Sequence, residues 1–410
     1  MNRVIIHSDL NNFFASVECL KRPWLGTSPV AVAGDVEKRH GIILAKNALA
    51  ASFGVKTGEP IWSAREKCPA LITVPPHYDD YIAISRMARS IYLEYSDKVE
   101  PFGIDECWLD VSDIASSYDE GIFIANDIRN RIKSSLGVTV SCGVSFNKVF
   151  AKLGSDIKKP DATTLISPSN FKQTVWPLPA DSLLFVGRAT KKALARLNVK
   201  TIGELANTDA KALEMVFGKN GICLWNYANG LDTSPVISAN IDIPIKSVGN
   251  SITTCRDIIN DEEIKVVFYE LCETVSARLR KLNFVCSTVQ IYVRDRELNS
   301  YERQTKMPLP CRTVQALFKE AFGLYRANHI SGKPVRSLGV RATNLTDDNC
   351  FQMCISPSAY NAEKQEHLDS TADYIREHFG KGSLKRGIML YESILSGIDV
   401  QEEKCSFSKI

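Results

Sequence analysis

The sequence predicts a multidomain α+β protein. Three observations carry that prediction. A chain of 410 residues makes two to four domains at roughly 100–200 residues each. Residues 1–168 interleave short β-branched runs with helical periodicities, the pattern of helices layered on a mostly antiparallel sheet. A helical block then follows, and after a polar, proline-flanked stretch a second strand-and-helix set begins.

The elements justify this in order. Val4-Ile5-Ile6 is a β-branched run fit for a buried strand, ending at His7-Ser8-Asp9. Phe13-Phe14 leads into Ala15-Ser16-Val17-Glu18, a helix, and Pro29 to Ala33 reads as a strand. Ile42 to Ala51 is small and apolar before a turn at Phe53-Gly54-Val55, and Pro75-Pro76 breaks the chain. Tyr81 to Tyr95 has helical periodicity. Val99 to Val111 reads as two short strands around an acidic tip, Asp105-Glu106. Ile122 to Leu136 is an amphipathic helix, Val138 to Val144 a strand, and Asn147 to Ile157 a helix closed by Lys158-Lys159-Pro160. The expected layer has its helices on one side of the sheet. Ser169 to Leu231 is helical with short loops, and Pro235 to Pro244 reads as a linker. Beyond it come a helix over Glu262–Leu282, strands over Val285–Arg294 and Tyr301–Leu309, a helix over Val314–Arg326 and a strand over Ser337–Thr343. A last helix is expected over Ala362–Phe379.

Composition narrows the class. Apolar residues are 44% and charged residues 24%, ordinary for a soluble protein, which excludes a mainly disordered chain. No run approaches the ~20 apolar residues of a membrane span, and the N-terminal run is too short for a signal peptide. The 12 cysteines include no CxxC and read as reduced packing residues of a cytoplasmic protein. The net charge of +3 leaves the partner undecided, but its distribution does not. Between Arg278 and Arg341 stand thirteen Lys/Arg against four Asp/Glu, a local excess larger than that of the whole chain. Such a basic α+β module suits duplex backbone binding, with a solvated positive face as the plainer alternative.

Asp9 closes a strand, and Asp105 and Glu106 sit at a hairpin tip. In one sheet, the three carboxylates could converge. Carboxylates ~4 Å apart repel by ~4 kcal/mol per pair at an effective dielectric of ~20. A fold keeps such a cluster where something positive sits, and all-oxygen ligands favour Mg²⁺ or Mn²⁺. Each acid alone would read as a solvated turn residue.

The surrounding strings resemble the Y-family, the translesion DNA polymerases. His7-Ser8-Asp9-Leu10-Asn11-Asn12-Phe13-Phe14-Ala15-Ser16-Val17-Glu18 is similar to their first catalytic motif, and Gly103-Ile104-Asp105-Glu106-Cys107-Trp108-Leu109-Asp110 to their second. The stretch from Cys142-Gly143-Val144-Ser145-Phe146-Asn147-Lys148 to Gly154-Ser155-Asp156 is similar to the third and the most specific. The likeness spans at least residues 1–345, nearest to the bacterial polymerase IV-like branch. It implies a right-hand architecture. The palm would take 1–18 and 78–168, small fingers 19–77, a helical thumb 169–234, a linker 235–244, and an α+β little finger 245–350, followed by an extension over 351–410.

The resemblance also implies roles. Asp9, Asp105 and Glu106, with the Leu10 carbonyl, would hold two Mg²⁺ ions, Mn²⁺ being the alternative. A primer 3′-hydroxyl would attack the α-phosphorus of a dNTP and release pyrophosphate. Phe14, five residues after Asp9, would be the steric gate that excludes ribonucleotides, with Phe13 beside it at the nucleotide or in the core. Lys159 would contact the triphosphate, where a helix-end lysine is the plainer reading. The family usually carries a Tyr and a basic residue where Ala48 and Ala51 stand, so two phosphate contacts are missing unless Lys46 substitutes. Asn11 stands where many relatives carry a second Asp, and Gly103 replaces a common Ser.

Val186-Gly187-Arg188 through Leu205 resembles a helix-hairpin-helix, with Phe185 in place of the first Gly of G-x-G. Gly187, Arg188 and Lys191 would meet DNA phosphates there, and Arg294, Arg296, Arg336 and Arg341 would do so in the little finger. Phe351-Gln352-Met353-Cys354-Ile355 is a degenerate form of the peptide by which relatives dock a sliding clamp. The expected partners are therefore primer-template DNA, a dNTP and the clamp through Gln352, for a monomer with no membrane association. A scaffold relative without catalysis is the alternative, and a two-metal nuclease explains neither Phe14 nor the third motif. Retention of all three carboxylates favours the enzyme.

Overall fold

The computed structural model describes residues 3–390 except 38, 40, 240, 242, 243, 331 and 348–356. The clamp-like peptide around Gln352 lies outside the described residues. The chain packs as two compact units that meet in sequence at 242/243, with 35–41 grouped with the second.

In the first unit the order is β1 (Ile5–Leu10), α1 (Phe13–Lys21), β2 (Val30–Ala33), β3 (Ile43–Lys46), α2 (Ala48–Ser52), α3 (Ile61–Lys67), β4 (Ile72–Val74), α4 (Tyr78–Leu93), β5 (Val99–Pro101), β6 (Glu106–Asp110), α5 (Tyr118–Leu136), β7 (Val140–Ser145), α6 (Lys148–Ile157) and β8 (Thr163–Ile166), then helices α7 (Phe171–Val175), α8 (Arg188–Arg196), α9 (Ile202–Asn207), α10 (Ala210–Phe217) and α11 (Lys219–Ala228). The main sheet runs β5-β6-β1-β7-β8, antiparallel except for the parallel β7–β8 pair. A small sheet, β3-β2-β4, stands apart from it in sequence between the first two catalytic-type motifs.

Strand alternation sorts β1 into two faces. Val4, Ile6 and Leu10 join Leu109, Val140, Cys142 and Val144 in one core together with Ala125, Ile128 and Ile132 of α5 and Tyr81 and Tyr92 of α4. Ile5, His7 and Asp9 point to the opposite face, and α6 lies there: Ile5 and Trp108 pack with Ala151, and His7 bonds Ser155. Helices therefore cover both sides of the sheet, which corrects the one-sided layer expected. Gly143 makes this possible. A Cβ there would lie 1.9 Å from the Ala151 carbonyl oxygen and 2.5 Å from the Ser155 nitrogen, so only glycine lets α6 press against β7.

Local chemistry ends the elements where the sequence allows. Asn12 takes the left-handed conformation (φ 49°) that turns β1 into α1, a conformation asparagine tolerates well. Asn147 caps α6, its side chain accepting from the Phe150 amide at 2.8 Å. The stretch expected as a linker from 235 is, through 239, part of the first unit. Val236 is buried against Ile5, Trp108 and Ala151, and the Ile237 amide donates to Glu100 Oε2 at 2.8 Å.

In the second unit, β9 (Ser247–Ile258), α12 (Asp261–Lys281), β10 (Phe284–Asp295), β11 (Ser300–Cys311), α13 (Val314–Asn328) and β12 (Val335–Asp347) form an antiparallel sheet of order β11-β10-β12-β9, with α12 and α13 packed on one face. The helix α14 (Pro357–Phe379) follows and contacts α12. Its Asp369 is buried, accepting from the Val314 amide at 2.8 Å and from Arg386 at 3.0 Å. Among the described residues, no helix is long and apolar enough to cross a membrane.

Candidate active site

Three strands bring the acids together. Asp9 is paired with Glu106 across β1–β6 and with Ser141 across β1–β7, and the Leu10 amide donates to the Asp105 carbonyl at 3.0 Å. Asp9, Asp105 and Glu106 thus converge at one end of the sheet, although nearly a hundred residues separate the first from the others. The Leu10 side chain is in the core, which leaves its backbone as the part of Leu10 that a ligand could use. A serine Cβ at Gly103 would come to 3.3 Å from Asp105 Oδ1, a contact a small shift relieves.

Charge at the site is balanced locally. Lys159 Nζ stands 2.8 Å from Asp9 Oδ2 and 2.8 Å from Asp156 Oδ1, and the Lys152 ammonium is paired with Glu106. The His7 ring is fully buried; its Nδ1 bonds the Ser155 hydroxyl at 2.8 Å, while Nε2 stands 3.4 Å from Glu106 Oε2 with no hydrogen-bond partner. Burial lowers the pKa of His7 against the raising pull of Glu106 and Asp9. Burial raises Asp9 against the pull of Lys159. Burial and the neighbouring charges of Asp9 and Glu106 push Asp105 up to about 6. Burial would raise Glu106 too, but His7 and the Lys152 ammonium outweigh it and hold it down at about 2.

The residues present fit hard divalent cations. The donors are carboxylate oxygens with a backbone carbonyl beside them, and burial raises two of the three acids, Asp9 even against its Lys159 partner. Among the described residues no three His, Cys, Asp or Glu side chains already close as a ligand set, and Lys159 and Lys152 pair with Asp9 and Glu106.

Phe14 is partly buried, its ring stacked on Tyr81 (centroids 4.3 Å apart, 10° between planes) and edge-on to Tyr78 at 5.9 Å. Phe13 is 3% exposed and packs in the core, the second of the two readings open for it, since adjacent helical positions point apart. Asn11 is structural. Its Nδ2 donates to Ser141 Oγ at 2.9 Å, and its Oδ1 accepts from Thr139 Oγ1 at 3.1 Å and the Asp161 amide at 2.9 Å, fixing the segment that carries Lys159. Ala48 and Ala51 are exposed on α2, and Lys46 Nζ reaches Thr57 Oγ1 at 3.4 Å. Lys152 and His7 were not singled out from sequence. Both had a signal: His7 shares the alternation of Asp9, and Lys152 lies one helical turn before Ser155 and Asp156.

Of the expected DNA contacts, Gly187 opens α8 and is exposed with Arg188, while Lys191 is exposed and paired with Asp181 at 2.6 Å. In the second unit Arg294 and Arg341 share the sheet face turned away from α12 and α13, since Ile291, Val293, Val340 and Ala342 point into the core. Arg296 is exposed, 3.7 Å from Asp257. A register shift between Val335 and Ser337 takes Arg336 out of this alternation.

Comparison with known proteins places this geometry. The impB/mucB/samB family profile matches residues 8–156, and the C-terminal domain profile of that family matches residues 245–354. The chain is 49% identical to a DNA polymerase IV of Acetivibrio thermocellus over 97% of its own length and 100% of that protein. It is 35% identical to DNA polymerase IV 1 of Bacillus subtilis, over 95% and 94% of the two chains. A solved Y-family DNA polymerase chimera, Dbh-Dpo4(243-245)-Dbh, shares the fold, with a TM-score of 0.73 and 24% identity over 84% of this chain and 99% of the other. A right-hand polymerase fold and full-length similarity to these bacterial proteins lead to one assignment: the chain belongs to the Y-family of DNA polymerases, within its impB/mucB/samB grouping.

Proposed function

We infer that the chain is a template-directed DNA polymerase of the low-fidelity, lesion-bypass type, and that Asp9, Asp105 and Glu106 are its catalytic carboxylates. The single observation that carries the site assignment is their convergence at one end of the sheet. With the Leu10 carbonyl they would hold two divalent ions, Mg²⁺ or Mn²⁺. Ions there would lower the pKa of the primer hydroxyl and neutralise the triphosphate.

The protein's own groups do the rest. Lys159, now paired with Asp9, would offer its ammonium to triphosphate oxygens were Asp9 to bind a cation instead. Asn11 keeps that lysine's segment against the end of β1. Lys152 holds Glu106 ionised and oriented. Phe14 presents a ring edge where a sugar would lie, leaving no room for a 2′-hydroxyl. Palm (1–18 and 78–168), fingers (19–77), thumb (169–234) and little finger (245–350) are the natural division. The Gly187–Lys191 turn and the Arg294/Arg341 face contact the DNA backbone, and the chain acts as a monomer.

Primer extension with Mg²⁺ tests this. Wild type extends a primer by template sequence. Asp105→Ala, folded as judged by circular dichroism, does not. Extension by Asp105→Ala at a rate near wild type overturns the carboxylate assignment. Binding of primer-template by a wild-type chain that never extends it supports the scaffold reading instead.

A further inference from the structure

We propose that Glu18 is a positioning residue for sugar discrimination: through Tyr81 it fixes the ring of Phe14. The proposal rests on the reading of Phe14 as the gate and deepens it.

Phe14 and Glu18 are four residues apart on α1 and so share a face of the helix. Tyr81, on α4, is 0% exposed and fills that face. One side of its ring stacks on Phe14, and its hydroxyl donates to Glu18 Oε1 at 2.5 Å. The same oxygen accepts from His77 Nδ1 at 2.7 Å, and the Arg22 guanidinium stands 3.5 Å from Oε2. Glu18 is only 1% exposed. A carboxylate this buried is tolerated because donors converge on it, and the same donors immobilise it.

The mechanical consequence follows from packing. An edge that must exclude a single oxygen atom discriminates only if it cannot recede. Behind Phe14 stands a ring with no solvent exposure, anchored at its far end by a hydrogen bond to a carboxylate of the gate's own helix. Phe13, 5.7 Å from Phe14 and 6.2 Å from Tyr81, closes a third side. Without the Glu18 oxygen the buried Tyr81 hydroxyl has lost its acceptor. The ring then shifts to find another, and Phe14 gains room to move back.

The test is single-nucleotide incorporation with a dNTP and the matching rNTP, read as the ratio of their kcat/KM values. The proteins are wild type, Phe14→Ala, Tyr81→Phe, Glu18→Leu and Glu18→Gln. Phe14→Ala raises relative rNTP use most. Tyr81→Phe and Glu18→Leu raise it about three- to tenfold, the scale of one aromatic contact, and change dNTP use much less. Glu18→Gln keeps an oxygen acceptor for Tyr81 and stays within about twofold of wild type. A merely structural Glu18 would lower use of both nucleotides together and leave the ratio unchanged. A raised ratio in Phe14→Ala with wild-type ratios in Tyr81→Phe and Glu18→Leu overturns the proposal alone. An unchanged ratio in Phe14→Ala overturns the gate reading and the proposal with it. Should Glu18→Leu fail to fold, Tyr81→Phe decides, since it removes one oxygen and keeps the ring.

Discussion

Asp105 and Glu106 are sequence neighbours with opposite electrostatic fates, and this predicts opposite stability effects in metal-free protein. For Asp105 the folded pKa is raised from 3.8 to about 6 by burial and by Asp9 and Glu106. The folded state thus holds a proton that the unfolded chain has released between those pH values. Ionising Asp105 costs the fold nothing below the unfolded value, progressively more as pH rises, and the full amount above about 6. For Glu106 the folded pKa is held at about 2, so its contribution is favourable above the unfolded value of 4.5 and is lost as pH falls through about 2. Each shift is worth at most ~3 kcal/mol, and partial solvent access halves that to ~1–2 kcal/mol. In EDTA at pH 7.5, Asp105→Asn should therefore melt a few degrees above wild type and Glu106→Gln a few degrees below, at about 2–4 °C per kcal/mol for a unit of this size. At pH 5 the Asp105→Asn gain should shrink, because wild-type Asp105 is then mostly protonated. Saturating Mg²⁺ should reverse the Asp105→Asn advantage, since an ion bound only by the native state stabilises it. Calorimetry or thermal circular dichroism reads all three conditions. Destabilisation by Asp105→Asn in EDTA at pH 7.5, or shifts of the same sign in both variants, would refute the reasoning.

Other predictions are simpler. Phe185 takes a left-handed backbone (φ 68°) and is 65% exposed, its ring 6.2 Å from that of Tyr227, so Phe185→Gly should raise the melting temperature by about 1–4 °C; a drop means the ring supports the turn. Ala48→Tyr with Ala51→Arg should lower the dNTP KM about tenfold or more, the worth of one charged phosphate contact; an unchanged KM says α2 does not face the triphosphate. Arg341→Ala should reduce the slope of log DNA affinity against log salt by about one, and Arg296→Ala, already near Asp257, by less; equal slopes in both variants and wild type would remove Arg341 from the DNA surface.

The site was more legible in the sequence than the packing around it. Asp9 ends a β-branched run and Asp105-Glu106 begin another, so residue types and order were enough to suggest convergence. What the sequence hid was mostly pairing. β8 is four residues between prolines and becomes a strand only through parallel pairing with β7. β9 has a glycine and an asparagine early in its run and was not expected, yet it pairs with β12 along most of its length. The side of the sheet taken by α6 depends on Gly143, whose meaning appears only once the close approach is seen. Phe13 and Phe14 are chemically identical in sequence, and helix geometry alone sends one to the core. The segment from 235 is polar in composition, but Val236 finds a hole among Ile5, Trp108 and Ala151. The roles of Lys152 and Glu18 arise from contacts with elements distant in sequence, which no local pattern announces.

The central claim is that Asp9, Asp105 and Glu106 jointly bind divalent cations. It is tested most directly by a Mn²⁺ titration followed by electron paramagnetic resonance, with primer-template and a non-reacting dNTP analogue present. Wild type should remove Mn²⁺ from solution saturably, and Asp9→Asn and Asp105→Asn should each lose at least about tenfold in affinity, roughly the worth of one charged ligand. Wild-type Mn²⁺ binding in both variants would place the ions elsewhere and contradict the account.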